Sequence, residues 1–125
     1  LYRELADYIL IPGERRQTVR KTLKLNTWQR VMLVQAVSAQ RGDIGFVRRC
    51  LKALDVLEMS DEEKGLVKLQ ETPTGARWED TERIWELKFD PNVLEAVKVA
   101  VRNYRWPVNK DVLGIIEQLG LEGEE

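Results

Sequence analysis

The pattern of hydrophobic and polar positions predicts two consecutive helices between residues 26 and 57. Asn26 or Thr27 can cap the first helix, and Asn26 has Gln29 at the spacing of a capping box. Apolar residues then recur at helical spacing and widen into a broad stripe: Trp28, Val31, Met32, Leu33, Val34, Ala36, Val37 and Ala39. Such a stripe indicates a helix that is buried on most sides.

The second helix follows a two-residue stop signal. Gly42 is expected to adopt the left-handed conformation that ends a helix, and Asp43 is expected to cap the next one. The apolar face of this second helix is predicted from Ile44, Val47, Cys50, Leu51 and Leu54. Because Arg48, Arg49 and Lys52 fall on or near the opposite face, they are predicted to be exposed and to form one basic patch.

Three segments are predicted to be strands. Thr18–Leu25 alternates with one mismatch, and Arg83–Phe89 alternates cleanly. We predict that Leu66–Glu71 and Arg83–Phe89 form an antiparallel hairpin with a long loop. The apolar side chains of the second strand are expected to enter the core and pack on the two central helices: Trp85, Leu87 and Phe89.

The remaining segments predict helices and complete the fold class. The predicted helices are Leu1–Ile11, a short one from Ser60 that Gly65 interrupts, one from Asp90 to Pro107 and one from Asn109 to Leu119. The predicted fold is α+β, mostly helical, with a small antiparallel sheet of a hairpin and one strand. We expect one domain over residues 1–125: a helix and loop at 1–17, a strand–helix–helix–hairpin core at 18–89, and helices at 90–120.

The composition narrows the chemistry that the chain can perform. With no His and a single Cys, Ser-His-Asp catalysis, Cys-His catalysis and an ordinary structural zinc site are excluded. Cys50 lies on an apolar helical face, which indicates an inert core thiol. The acidic cluster at residues 61–63 is explained by helix capping. We therefore expect no enzyme activity, no metal and no cofactor.

The composition also bears on location and partners. Charged residues are 33% of the chain, which is typical of thermophilic proteins, and the absence of long apolar runs favours a cytoplasmic location. Residues 1–57 carry 11 Lys and Arg against 5 Asp and Glu, whereas residues 58–125 carry 9 against 16. Such a lopsided surface indicates a charged partner. An uneven thermophile-like surface explains the asymmetry equally well.

The order strand, two helices and hairpin is also close to that of a winged-helix domain. In that alternative, Arg48, Arg49 and Lys52 would face DNA and the loop 72–77 would be the wing. The acidic residues at 79–82 and the net charge of −1 count against it, because DNA-binding domains are usually basic.

Residues from about Leu23 to Leu119 resemble a family of small, largely uncharacterised bacteriophage and prophage proteins. The shared features are a short strand and helix, Gly42-Asp43 with a second helix, Ser60-x-Glu62-Glu63, Gly75 with Trp78, a Glu-rich strand and a Val/Leu helix. The size and composition are also similar to those of thermophilic-phage proteins that bind host RNA polymerase. The resemblance implies a non-enzymatic regulator of a host complex, first of all RNA polymerase, but no polymerase-contact motif can be carried over to this chain.

The candidate partner-binding residues are basic or aromatic, as is usual for interface anchors. They are Arg15, Arg16, Arg20, Lys21, Arg48, Arg49, Lys52 and Trp78. For Trp78, packing in or beside the core is the competing interpretation. A DNA-binding transcription regulator of winged-helix type is the alternative function.

Overall fold

The computed structural model describes residues 20–79 and 82–121. Its elements in chain order are β1 (Lys21–Asn26), α1 (Thr27–Ser38), α2 (Ile44–Leu57), α3 (Asp61–Val67), β2 (Gln70–Thr72), β3 (Gly75–Arg77), β4 (Ile84–Phe89), α4 (Pro91–Asn103) and α5 (Lys110–Gln118). The predicted α+β class, mostly helical with small antiparallel sheets, is confirmed. The predicted helix Leu1–Ile11 lies outside the described residues.

Strands β1 and β4 form an antiparallel pair whose apolar side chains lie in the hydrophobic core. Their register runs from Lys21 opposite Phe89 to Asn26 opposite Ile84. Because side chains alternate between the two faces of a sheet, one face is apolar and buried. The buried residues of that face are Leu23, Leu25, Trp85, Leu87 and Phe89. Helices α1 and α2 contact β4, so the predicted burial of its three apolar side chains against these helices is confirmed.

The predicted hairpin of Leu66–Glu71 with Arg83–Phe89 is wrong. Leu66 lies in α3, and β2 pairs instead with β3 through a tight turn at residues 73 and 74. A two-residue turn closes this hairpin locally, at a far smaller entropic cost than a long loop. Strand β4 then pairs with β1, whose Leu23 and Leu25 continue its apolar face. The two sheets are separate among the described residues, so no three-strand winged-helix sheet forms there.

At three helices, the side chain of the predicted N-cap residue accepts a hydrogen bond from the first turn. Asn26 and Gln29 form a reciprocal capping box at α1, and Ser60 forms the same arrangement with Glu63 at α3. At α2, the Asp43 carboxylate accepts a hydrogen bond from the Phe46 N–H over 2.8 Å. These short-range bonds satisfy N–H groups that a helix leaves unpaired at its start.

Two predicted helix ends are wrong. Gly42 is not left-handed: α1 ends at Ser38, and a Cβ at Gly42 would lie 2.5 Å from Cδ2 of Phe46, so the glycine is needed for close approach. Helix α3 also continues through Gly65 to Val67, and its C-cap Lys68 has a left-handed φ of 54°. The capping box at its start stabilises this short helix against the cost of its glycine.

Helices α4 and α5 complete the core: α4 packs on α2 and α1, and α5 packs on α1. The buried residues of α4 are Val93, Leu94, Ala96, Val97, Ala100 and Val101. From α5, the Gln118 side chain accepts from the Lys24 N–H and donates to the Lys24 carbonyl, each over 2.6 Å. One side-chain amide thus takes the place of a neighbouring strand at this point of β1.

Candidate protein-binding surface

Helix α2 exposes part of its apolar stripe. Its buried residues are Cys50, Ala53 and Leu57, which lie about a quarter of a turn from the centre of the predicted apolar face. Ile44, Val47 and Leu51 are 73%, 39% and 55% exposed. The predicted inward orientation of these three residues is therefore wrong. Helices α1 and α4 pack on the side that carries Ala53, where a small side chain permits close approach.

Basic side chains flank this exposed row. Arg48 and Lys52 are exposed, as predicted, and they lie one turn apart beside Ile44 and Leu51. Neither forms an ion pair or a side-chain hydrogen bond within residues 20–79 and 82–121. The five side chains Ile44, Val47, Arg48, Leu51 and Lys52 are called the α2 face below. It combines exposed aliphatic surface with two exposed cations.

Arg49 and Cys50 lie at the edge of the packed side of α2. Arg49 is half-buried, so its predicted full exposure is wrong; it lies one turn before the fully buried Ala53. Burial raises the pKa of the Cys50 thiol, and the nearby charge of Arg49 lowers it less. The thiol is thus more strongly protonated than usual at neutral pH, which is the opposite of an activated nucleophile.

The other basic candidates do not belong to the α2 face. Arg20 is ion-paired with Asp90 at 3.1 Å, at the start of α4, and Lys21 borders a shallow pocket with Leu94. Both therefore lie next to α4. Arg15 and Arg16 lie outside the described residues, as does the sequence around them.

The tryptophans are distributed around the core. Trp78 is half-buried and packs against the core cluster, in agreement with core or rim packing. Trp106 is likewise half-buried and donates a hydrogen bond to the Val101 carbonyl over 2.9 Å. Trp28 is only half-buried, although its place in the apolar stripe predicts a core position. None of these residues lies on the α2 face.

Arg30 is the structural residue that sequence reasoning missed. It is 2% exposed, and its Nε donates to the Leu57 carbonyl over 2.6 Å while Nη2 donates to the Glu58 carbonyl over 3.1 Å. Its guanidinium also lies 4.9 Å from the centre of the Trp85 ring. Arg30 therefore satisfies carbonyls at the end of α2 from within the core. The available signal was that Arg30 is the single charged residue of the apolar helix α1.

Glu63 completes this network. Both carboxylate oxygens accept from Arg30, at 3.1 and 3.3 Å. Burial raises the pKa of Glu63, but the Ser60 N–H and the hydrogen bonds and charge of Arg30 outweigh it, so the net pKa is lowered. The network ties α1, the end of α2 and the start of α3 together, and it leaves the guanidinium satisfied rather than available to a ligand.

A groove of about 480 Å³ lies beside this network, between α1, the end of α2 and the β2–β3 hairpin. Its aliphatic lining comes mainly from Val31, Val34, Leu57, Met59 and Leu69. At its rim, Lys64 and Glu71 approach within 3.9 Å of each other. The rim carries charges of both signs, and the hydrogen bonds of Arg30 are made within the protein. The groove therefore gives no indication of the charge of a ligand.

Within the described ranges, no group of three or more acidic, Cys or His residues is arranged to hold a metal ion. The helices of the same ranges include none that is both long and apolar enough to cross a bilayer. Comparison with known proteins finds no matching family model, no similar curated protein and no similar solved structure. The resemblance to phage proteins therefore stays a prediction.

Proposed function

We propose that this chain is a non-enzymatic regulatory protein that binds another protein through the α2 face. The observation that carries the proposal is the row Ile44, Val47 and Leu51, exposed on a well-formed helix beside Arg48 and Lys52. Exposed aliphatic side chains that line up on one helix face are typical of helix-mediated recognition. A basic flank would attract and orient an acidic partner.

The proposed partner is a host macromolecular complex in the cytoplasm, with RNA polymerase as the first one to test. The sequence resemblance to phage proteins suggests this choice, and the acidic second half of the chain argues for a protein partner over nucleic acid. In this proposal the chain inhibits or redirects transcription because it covers or repositions a polymerase element.

The alternative of direct DNA binding is supported by Arg48 and Lys52, which are exposed on the second central helix. The rest of the same face argues against it. Phosphate contacts come from cationic and polar groups, whereas Ile44 and Leu51 would be placed beside the charged backbone. Among the described residues, the β2–β3 hairpin does not pair with β4, so the sheet expected of a winged-helix domain is not formed there.

Co-purification and transcription with purified host RNA polymerase test the proposal. We expect stable association and altered transcript yield with the native chain, and at least tenfold weaker association for Leu51→Ser, because Leu51 is 55% exposed at the C-terminal end of the row, beside Arg48 and Lys52. The matched control is Leu113→Ser on α5, where Leu113 is 60% exposed. Tight, salt-sensitive binding to free duplex without polymerase association would favour the DNA-binding alternative.

A further inference from the structure

We infer that the α2 face accepts a single amphipathic helix of the partner, with acidic side chains beside its apolar row. The inference rests on the proposed protein-binding function and specifies the chemistry of the partner. Ile44, Val47 and Leu51 follow the i, i+3, i+7 spacing of a helix-packing seam. The row extends over two turns, or about 10 Å, which matches a partner segment of a few turns.

The positive charges of the α2 face favour an acidic segment in the partner. Arg48 and Lys52 lie on successive turns along the same side of the row, so acidic residues one turn apart on a partner helix would meet both. Asp55, which is exposed at the C-terminal end of the same helix, is the one acidic side chain on the solvent side of α2 beyond its N-terminal cap. An acidic partner helix would therefore be directed toward the N-terminal and middle turns, where the cations lie.

The same charges disfavour a second copy of the chain as the occupant. Homodimers usually have twofold symmetry, so each α2 would contact the same face of its partner. Arg48 lies near the middle of the row, and a symmetric pairing of two such rows would bring the two Arg48 side chains together. Like charges in contact destabilise such a pair. An acidic helix has no such conflict.

The size of the α2 face predicts a modest affinity. Three aliphatic side chains and two cations form a smaller contact than the roughly 800 Å² per partner of a standard stable interface. We therefore expect micromolar binding for an isolated helix. Two cations at the surface also predict that the affinity falls with salt, since exposed charge pairs are screened.

The test uses a fluorescent peptide of about three heptads with Leu at the a and d positions and Glu at the e and g positions. A second peptide has Lys in place of Glu, and a third has the same composition with scrambled apolar spacing. Fluorescence anisotropy measures each Kd at about 50 and 300 mM salt. Amide chemical shifts of the chain identify the helix that the peptide contacts.

We expect the Glu peptide to bind at α2 with micromolar Kd, at least about tenfold more tightly than the Lys or scrambled peptide. Leu51→Ser should weaken binding about tenfold, whereas Leu113→Ser should not change it. The double change Arg48→Glu and Lys52→Glu should reverse the preference toward the Lys peptide. Circular dichroism of each variant checks that the helices are retained, and the charge reversal leaves the apolar row intact.

Equal binding of the Glu and Lys peptides, binding away from α2 or no binding would overturn the inference. A dimer in sedimentation that Leu51→Ser disrupts would also overturn it, in favour of a second copy. Failure of the two proposals can be told apart. If polymerase association depends on Leu51 but the Glu peptide neither binds nor competes, the proposed function is supported and the inferred acidic partner helix is wrong. If the peptide binds and polymerase does not, polymerase is the wrong partner.

Discussion

At the residue scale, Arg30 is the largest fully buried side chain among the described residues. It is charged and buried, and the structure compensates for this with carbonyls at the end of α2 and with the Glu63 carboxylate. A buried charge is costly unless it is fully hydrogen-bonded, so removing its partner costs more than the pair itself contributes. Arg30 of α1 thus links three helices, because it bonds to carbonyls at the end of α2 and to Glu63 in α3.

We expect Glu63→Gln to destabilise the fold by about 1–3 kcal/mol at neutral pH, because a charge-assisted hydrogen bond to a buried guanidinium is lost. The native pKa of Glu63 is lowered relative to the unfolded chain, so its stabilisation is present above the unfolded value of about 4.3 and is lost as the pH falls. Urea unfolding between about pH 7 and pH 3 measures this.

The native chain should lose stability over the acidic part of that range, and Glu63→Gln should lose less there. The matched control is Glu62→Gln, an exposed neighbour in the same helix turn, which should follow the native curve. Parallel curves for the native chain and Glu63→Gln would show that the pair with Arg30 does not stabilise the fold through the carboxylate charge.

At the element scale, two glycines near the start of α2 have different roles. A Cβ at Gly42 would lie 2.5 Å from the Phe46 ring, which itself packs against the core. A Cβ at Gly45 would meet only ordinary contacts, at 3.6 Å from Arg49 and Asp43. Gly42 is therefore required by the close approach of the Phe46 ring, and Gly45 is not.

We expect Gly42→Ala to destabilise the fold by about 1–3 kcal/mol, because Phe46 must move from its packed position. Gly45→Ala should stabilise it by about 0.5–1 kcal/mol, since alanine loses less backbone entropy in a helix. Thermal or urea unfolding of the two variants provides the comparison, and each serves as the control for the other. Similar changes at both positions would contradict the packing argument.

At the scale of the whole molecule, the pairing of β1 with β4 joins the start of the described chain to a segment about 60 residues later. This pairing brings together residues from the basic first half and the acidic second half, so the two halves share one core. Lys24 lies opposite Glu86, and its backbone groups bond to Gln118 on the other edge. Lys24 and Glu86 are thus a non-hydrogen-bonded pair, whose Cα atoms are about 4.5 Å apart in such sheets.

We expect the double change Lys24→Cys and Glu86→Cys to form a disulfide on oxidation, because this spacing suits the bond. Closing a loop of about 60 residues should stabilise the oxidised chain by about 4 kcal/mol relative to the reduced one. Non-reducing electrophoresis and urea unfolding measure the two effects. The control Gln70→Cys with Glu86→Cys tests the hairpin that the sequence pattern predicts, and a disulfide in the control alone would contradict the observed pairing.

Local sequence information determined the positions of most elements and their starts. The bonds of Asn26, Asp43 and Ser60 reach only three residues along the chain, so a short window contains both partners. The alternation of residues 83–89 likewise determined which side chains of β4 enter the core. On the candidate surface, the exposure of Arg48 and Lys52 followed from helical spacing alone.

Only the tertiary structure decided which segments meet. The strand that pairs with β4 lies about 60 residues earlier in the chain. The β2–β3 hairpin closes locally and so excludes the predicted pairing of Leu66–Glu71 with Arg83–Phe89. On α2, the apolar stripe is wider than the surface that α1 and α4 cover, so packing around Ala53 decided that Ile44, Val47 and Leu51 stay in solvent. The burial of Arg30 also requires carbonyls from another helix, because a charge enters the core only where distant groups satisfy it.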